Sequence, residues 1–104
     1  MRKAKRKRLE RAGWKVGDAK DFLGLSDADT AVIDLRVSLA AELRRWRVAR
    51  NLSQAALAKR IGSSQSRVAK MEAGDPSVSL DLLIRSLLTS GSTNEDIAEV
   101  IAKA

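Results

Sequence analysis

Between Ser53 and Gly74 the sequence specifies two short helices around one tight turn. Ser53 opens the first, its hydroxyl placed to accept from an amide left without a partner in a first helical turn. Leu57, Ala58 and Ile61 recur at helical spacing and define an inner face. Gly62 falls where that helix must stop, because glycine enters the left-handed C′ conformation without a Cβ penalty. Ser63 or Ser64 caps a second helix whose inner face is Val68 and Met71. Gln65, Ser66, Arg67 and Lys70 are left pointing outward from its N-terminal half. A polar, basic edge on the second of two such helices is the layout of a helix-turn-helix.

The rest of the composition agrees with a small helical domain. A chain of 104 residues is one domain's worth, with room for tails. Aromatic residues make up only 3%, which disfavours a sandwich or barrel, so the core has to rest on Leu, Ile, Val and Ala. The chain has no Cys and no His. Disulfides and thiolate metal sites are thereby excluded, and the commonest general base and metal ligand is missing. No apolar run approaches the roughly 20 residues of a membrane span, and the charged start has no apolar stretch behind it. The expectation is a soluble, cytoplasmic protein with no cofactor or metal.

The formal net charge of +7 is concentrated in two places. Arg2, Lys3, Lys5, Arg6, Lys7 and Arg8 form a run without an acid. Residues 43–71 carry Arg44, Arg45, Arg47, Arg50, Lys59, Arg60, Arg67 and Lys70, again without an acid, while the segments between and after are net acidic. Clustering of this kind suits a polyanion. Residues 1–8, which lack apolar periodicity, are expected to be a disordered basic arm, either an electrostatic contact or a solubilising tail.

Residues 9–26 form an N-terminal extension, read as a loop and one short helix from about Asp18 to Leu23, stopped at Gly24. Its Trp14, Phe22 and Leu23 either pack on the following domain or belong to a partner surface. The main domain is expected over residues 27–104. Ser26 to Asp29 reads as a capping box with Asp29 in the Glu position, opening a helix to about Arg50. Val32, Leu35, Leu39, Leu43 and Trp46 would face inward, with Ile33, Val37 and Ala40 widening the face. Four arginines crowd its end, more than a helix dipole calls for, and Arg44 and Arg50 are read as phosphate contacts. Asn51 suits the left-handed position before Leu52 re-enters the core. After the break at Gly74-Asp75-Pro76, Ser77 or Ser79 caps a helix with Leu80, Leu83, Ile84, Leu87 and Leu88 inward. Gly91 ends it, and Thr93 to Asp96 open a last helix with Ile97, Val100 and Ile101 on one face. These two helices are scaffold or supply a dimer contact.

The pattern Ser53-Gln54, Leu57-Ala58, Gly62, Gln65-Ser66, Val68, Met71-Glu72 and Gly74 strongly resembles the Cro/C1-type helix-turn-helix of phage repressors and of XRE-family regulators, over roughly residues 40–90. The resemblance implies an all-α, lambda-repressor-like domain of five helices, here with an N-terminal extension bearing a short helix. It implies base-reading positions at Gln65, Ser66, Arg67 and Lys70, with Gln54 and Ser64 toward backbone phosphates and Glu72 securing a helix end. The flanks, Gly13 to Ala19 with Phe22 to Ser26, and Ser63 to Ala73 running into Pro76 to Leu83, resemble HigA-type antitoxins. Those bind a RelE/HigB-like ribonuclease toxin and repress their own operon as dimers. On that resemblance the chain is a repressor and antitoxin whose partners are double-stranded operator DNA, a second copy of itself and a toxin, with Trp14, Phe22 and Leu23 toward the toxin. The alternative is a solitary XRE-family regulator.

The chemistry of the outer edge fits DNA without the resemblance. A helix fits the B-form major groove, where Gln pairs with adenine and Arg with guanine. Serine hydroxyls and a helix's amide end suit phosphates. One module of this size offers little contact, so a two-fold dimer with reading helices about 34 Å apart is expected. A Ser–Lys pair among Ser63, Ser64, Ser66 and Lys70 lacks any implied oxyanion pocket, and those serines sit where caps belong, so no enzymatic activity is expected. An RNA platform would need stacking aromatics that this edge lacks.

Overall fold

The computed structural model describes Gly24 and residues 26–104. The basic arm and the expected helix over Asp18 to Leu23, with Trp14, lie outside the described residues. Five helices follow in order: α1 (Asp27–Ala49), α2 (Gln54–Ile61), α3 (Gln65–Glu72), α4 (Leu80–Ser90) and α5 (Asn94–Lys103). Among the described residues there is no strand, and the all-α expectation holds. No helix of the described residues is long and apolar enough to cross a membrane.

The chain divides into two units, and among the described residues the first contributes the opening turns of α1. Ser26 starts that helix reciprocally. The Asp29 amide donates to the Ser26 hydroxyl, and the Ser26 amide donates to the Asp29 carboxylate, each at 3.1 Å. Asp29 thus does what Glu does in the usual capping box, and the backbone hydrogen bond from Ser26 holds its carboxyl below the ordinary range.

The second unit, residues 36–103, contains the core. Leu39, Leu43 and Trp46 of α1 meet Leu57 and Ala58 of α2, Val68 and Met71 of α3, Val78 ahead of α4, Leu83 and Leu87 of α4, and Ile97 of α5. Burying each large apolar side chain contributes about 1.5–3 kcal/mol, and this cluster fixes the angle between α2 and α3. Val32, Ile33 and Val37, expected inward, are instead 42–45% exposed. The core that covers α1 begins only at Leu39, and Val37 stands about 200° round the helix from it.

One further expectation is corrected: Leu88, expected inward, is 43% exposed; on α5, Ile101 is 40% exposed. The inner stripe of α4 runs through Leu83, Ser86, Leu87 and Ser90, so Leu88 falls on its flank. Buried serines at these positions are tolerable because each finds a partner. Ser90 donates to the Ser86 carbonyl at 2.6 Å and Ser86 to the Met71 sulfur at 3.3 Å.

Helix α1 ends as the Asn51 reading requires. Asn51 has φ 55°, and the amides of Asn51 and Leu52 turn back to the carbonyls of Val48 and Arg47. This is a Schellman closure with asparagine in the left-handed position. It reverses the chain into α2 and leaves Arg47 beside the start of that helix.

Candidate nucleic-acid interface

The local sequence sets both helices of the motif. The Ser53 hydroxyl accepts from the Ala56 amide at 3.0 Å and caps α2. Gly62, at φ 70°, closes α2 as its amide and that of Ser63 return to Lys59 and Ala58. Of the two candidate caps for α3 the structure selects Ser64, whose hydroxyl accepts from the Arg67 amide at 3.2 Å. Likewise Ser79, not Ser77, caps α4.

Helix α3 sinks Val68 and Met71 completely into the core. That anchoring orients the remainder: Gln65, Ser66, Arg67 and Lys70 are all exposed on the first two turns. Among the described residues neither Arg67 nor Lys70 makes a close ion pair, although Lys70 acts electrostatically on the Asp75 carboxylate, so the edge presents net positive charge. Beside it lies a polar hollow of about 270 Å³ that brings Ser64, Ser66, Arg67 and Lys70 together with Ser77. Ser77 is held there by Asp75, whose carboxylate accepts its amide at 2.8 Å. That hydrogen bond keeps the Asp75 carboxyl below its ordinary range.

A hydrogen-bonded chain links this edge to α1. Arg47 donates twice to Glu72, at 2.6 and 2.9 Å, and once to the Leu52 carbonyl at 2.8 Å. Glu72 in turn accepts from the Gln54 side-chain amide at 3.3 Å. The Gln54 oxygen then accepts from the Gln65 amide at 2.7 Å. Both ends of Gln54 are therefore occupied, and one N–H of Gln65 is committed. The Gln65 oxygen and its second N–H remain, an acceptor beside a donor, which is the pattern complementary to adenine N6 and N7 in the major groove.

Glu72 accordingly secures the end of its helix, as the resemblance implies. Arg47, which the sequence shows only as one arginine among four, is its partner. The two side chains are 14% and 4% exposed, and hydrogen bonding to Glu72 raises the Arg47 pKa above its already high ordinary value. The signal for this pairing in the sequence is a lone acid, Glu72, following eight cations with no acid among them.

Not all the expected site residues gather. Gln54, Ser64, Gln65, Ser66, Arg67 and Lys70 lie along one edge. Arg50 instead lies over Trp46, 3.9 Å from the ring centroid, and donates to the Trp46 carbonyl at 3.2 Å. Arg60 approaches the same ring at 5.2 Å. Arg44 stands in a separate groove beside Ala73 and Gly74, where α3 has ended. Trp14, Phe22 and Leu23 lie outside the described residues.

No curated protein and no solved structure matches the chain significantly. A protein-family comparison matches residues 38–99, from within α1 into α5, to the family described as "Helix-turn-helix domain". That span contains the whole motif and the core beneath it. The chain belongs to the helix-turn-helix domain family, and α2 and α3 are the two helices of its motif.

Proposed function

We propose that this protein is a sequence-specific transcriptional repressor of the XRE type that binds double-stranded operator DNA as a homodimer in the cytoplasm. The observation that carries the reading is the oriented Gln65 amide beside the exposed Arg67 and Lys70 on a helix locked from below by Val68 and Met71. Gln65, Ser66, Arg67 and Lys70 read base edges, and Ser64 and the remaining side-chain N–H of Gln54 meet phosphates, with Arg50 as an outlying phosphate contact; Arg44, in its separate groove, stands apart from this set. The exposed Leu88 and Ile101 on α4 and α5 are the apolar surface a two-fold contact would use. The serines of the edge act as caps and anion donors, so the protein works by binding and not by catalysis.

The test is selection of duplexes from a random library, followed by binding of the best site and of random DNA to Arg67→Ala. The variant should lose far more affinity for the selected site than for random DNA. Equal loss on both would make Arg67 a phosphate contact, and failure to select any site would refute the repressor reading.

The finer assignment, an antitoxin that neutralises a RelE/HigB-like toxin through Trp14, Phe22 and Leu23, is supported by the resemblance of the extension to HigA-type sequences. Coexpression with the product of the adjacent reading frame tests it. A small basic ribonuclease that copurifies, and is released by Trp14→Ala, supports the antitoxin. A protein that purifies alone is the solitary regulator.

A further inference from the structure

Helix α1 carries a second apolar stripe that the core does not use. Val37, Ala41 and Val48 fall on one line, about 200° round the helix from the line of Leu39 and Trp46. Val37 and Val48 are 43% and 52% exposed. Across from them the chain leaving α3 presents only Ala73 and Gly74. A Cβ on Gly74 would come within 4.0 Å of the Ala40 methyl, so the two backbones approach closely at the floor. Small residues on the floor and valines on the wall leave an open groove of about 530 Å³.

The charge left without a partner at this groove is positive. Arg44 and Arg45 stand along it. Arg45 pairs with Glu42, whereas Arg44 has no carboxylate partner among the described residues. Glu72, the other acid at the groove, is already bound by Arg47. An occupant must therefore offer apolar side chains to the floor and a carboxylate to Arg44.

Three kinds of occupant differ in how well they satisfy that demand. Phosphates would answer the arginines but leave Val37, Ala41 and Val48 without apolar contact. A second copy docked stripe to stripe across a two-fold would set the unpaired Arg44 against its own equivalent, and like charges across an interface are disfavoured. An amphipathic helix with large apolar residues on one face and Asp or Glu beside them answers both the valines and the arginine.

We propose that the groove between α1 and the C-terminal end of α3 is a docking site for an acidic amphipathic helix of another protein. The distance from Val37 to Val48 along α1 is about 16 Å, three helical turns, so the docked segment is three to four turns long. The site is separate from the reading edge and does not depend on DNA binding. Its position at the end of α3 lets a bound regulator share the protein with DNA.

The experiment is a peptide-display selection of random 15-residue peptides on the full-length protein, with binders measured by fluorescence anisotropy. The expected consensus combines Leu, Ile or Phe at three- and four-residue steps with Asp or Glu. Val37→Asp and Ala41→Glu should each weaken such peptides by about tenfold or more, with unchanged affinity for a mixed-sequence 20-bp duplex. Methyl resonances of Val37 and Val48 should shift when peptide is added to the unmodified protein, which tests the site even if a variant folds poorly. Absence of an acidic, apolar consensus would overturn the proposal, as would peptide shifts that bypass both valines. Loss of duplex affinity in Ala41→Glu would assign the groove to DNA, and loss of self-association in either variant would assign it to a second copy.

Discussion

Arg47 and Glu72, 25 residues apart in sequence, form a two-pronged ion pair that ties the end of α1 to the end of α3. Glu72 also accepts from Gln54, so one carboxylate fixes three helices relative to each other. Replacing it leaves a largely covered guanidinium without its counter-charge. Glu72→Gln should lower stability by about 1.5–3 kcal/mol, read as an earlier midpoint in urea with an unchanged slope. The double change Arg47→Met with Glu72→Leu should recover part of that loss, because an apolar pair of similar volume often replaces a buried ion pair without penalty. A single variant as stable as the parent would show the pair to be idle.

The Gln65–Gln54 hydrogen bond makes a prediction about specificity. Gln54 orients the Gln65 amide, so removing Gln54 frees that amide to rotate. Gln54→Ala should relax base preference at the same operator position as Gln65→Ala. The two changes should be non-additive, with a coupling energy of about 0.5–3 kcal/mol in a double-mutant cycle on the preferred duplex. Strict additivity would mean that Gln54 acts on phosphate alone.

Most of this architecture was readable in the sequence because the signals were local. Ser26 with Asp29, Ser53, Gly62 and Asn51 each announce a helix boundary through chemistry confined to a few neighbours, and each stands where expected. Val68 and Met71 follow from spacing alone. What was not readable depends on which face finds a partner. Val37 and Leu88 are as apolar as Leu39 and Leu87, and only packing distinguishes them. The buried Ser86 and Ser90 look like surface residues until Met71 and the backbone supply their partners. Arg47 and Arg50 are alike in sequence, yet one meets Glu72 and the other meets Trp46.

Gly62 is the hinge of the motif, and its surroundings isolate one effect. A Cβ there would meet no atom within 4 Å, so a substitution suffers only from the φ of 70°. Gly62→Ala should therefore destabilise by about 1–2 kcal/mol. Gly62→Asn should lose less, since asparagine visits the left-handed region with local support. Equal losses in thermal melts would point to packing and not to backbone conformation.

Three carboxylates predict the acid limb of the stability curve. Asp29, Asp75 and Asp96 each accept a backbone amide, from Ser26, Ser77 and Thr93 respectively, and each is held below its ordinary value of 3.8. A carboxyl with a depressed native pKa binds fewer protons folded than unfolded, so its contribution is fully present above pH 3.8 and is lost as pH falls through the lower native value. Stability should be level in this respect from pH 7 down to about 4 and then decline. Asp96→Asn should reduce stability at pH 7 and converge on the parent as pH falls through the lowered native pKa. A constant difference across that range would locate the effect in packing around α5 and not in the charge.

The basic run from Arg2 to Arg8 predicts how affinity responds to salt. It holds six cations and no acid, and each phosphate that such residues neutralise contributes about 0.9 to the slope of log affinity against log salt on B-form DNA. Deleting residues 1–8 should flatten that slope by roughly 2–5, according to how many of the cations meet phosphates. Base preference should be unchanged, because the arm carries none of the α3 side chains that face base edges. Anisotropy titrations of parent and truncated protein between low and moderate salt, on the selected duplex and on a scrambled one, measure both quantities together. An unchanged slope would make the run a solubilising tail, and an altered base preference would place it in a groove of the DNA instead of along the phosphates.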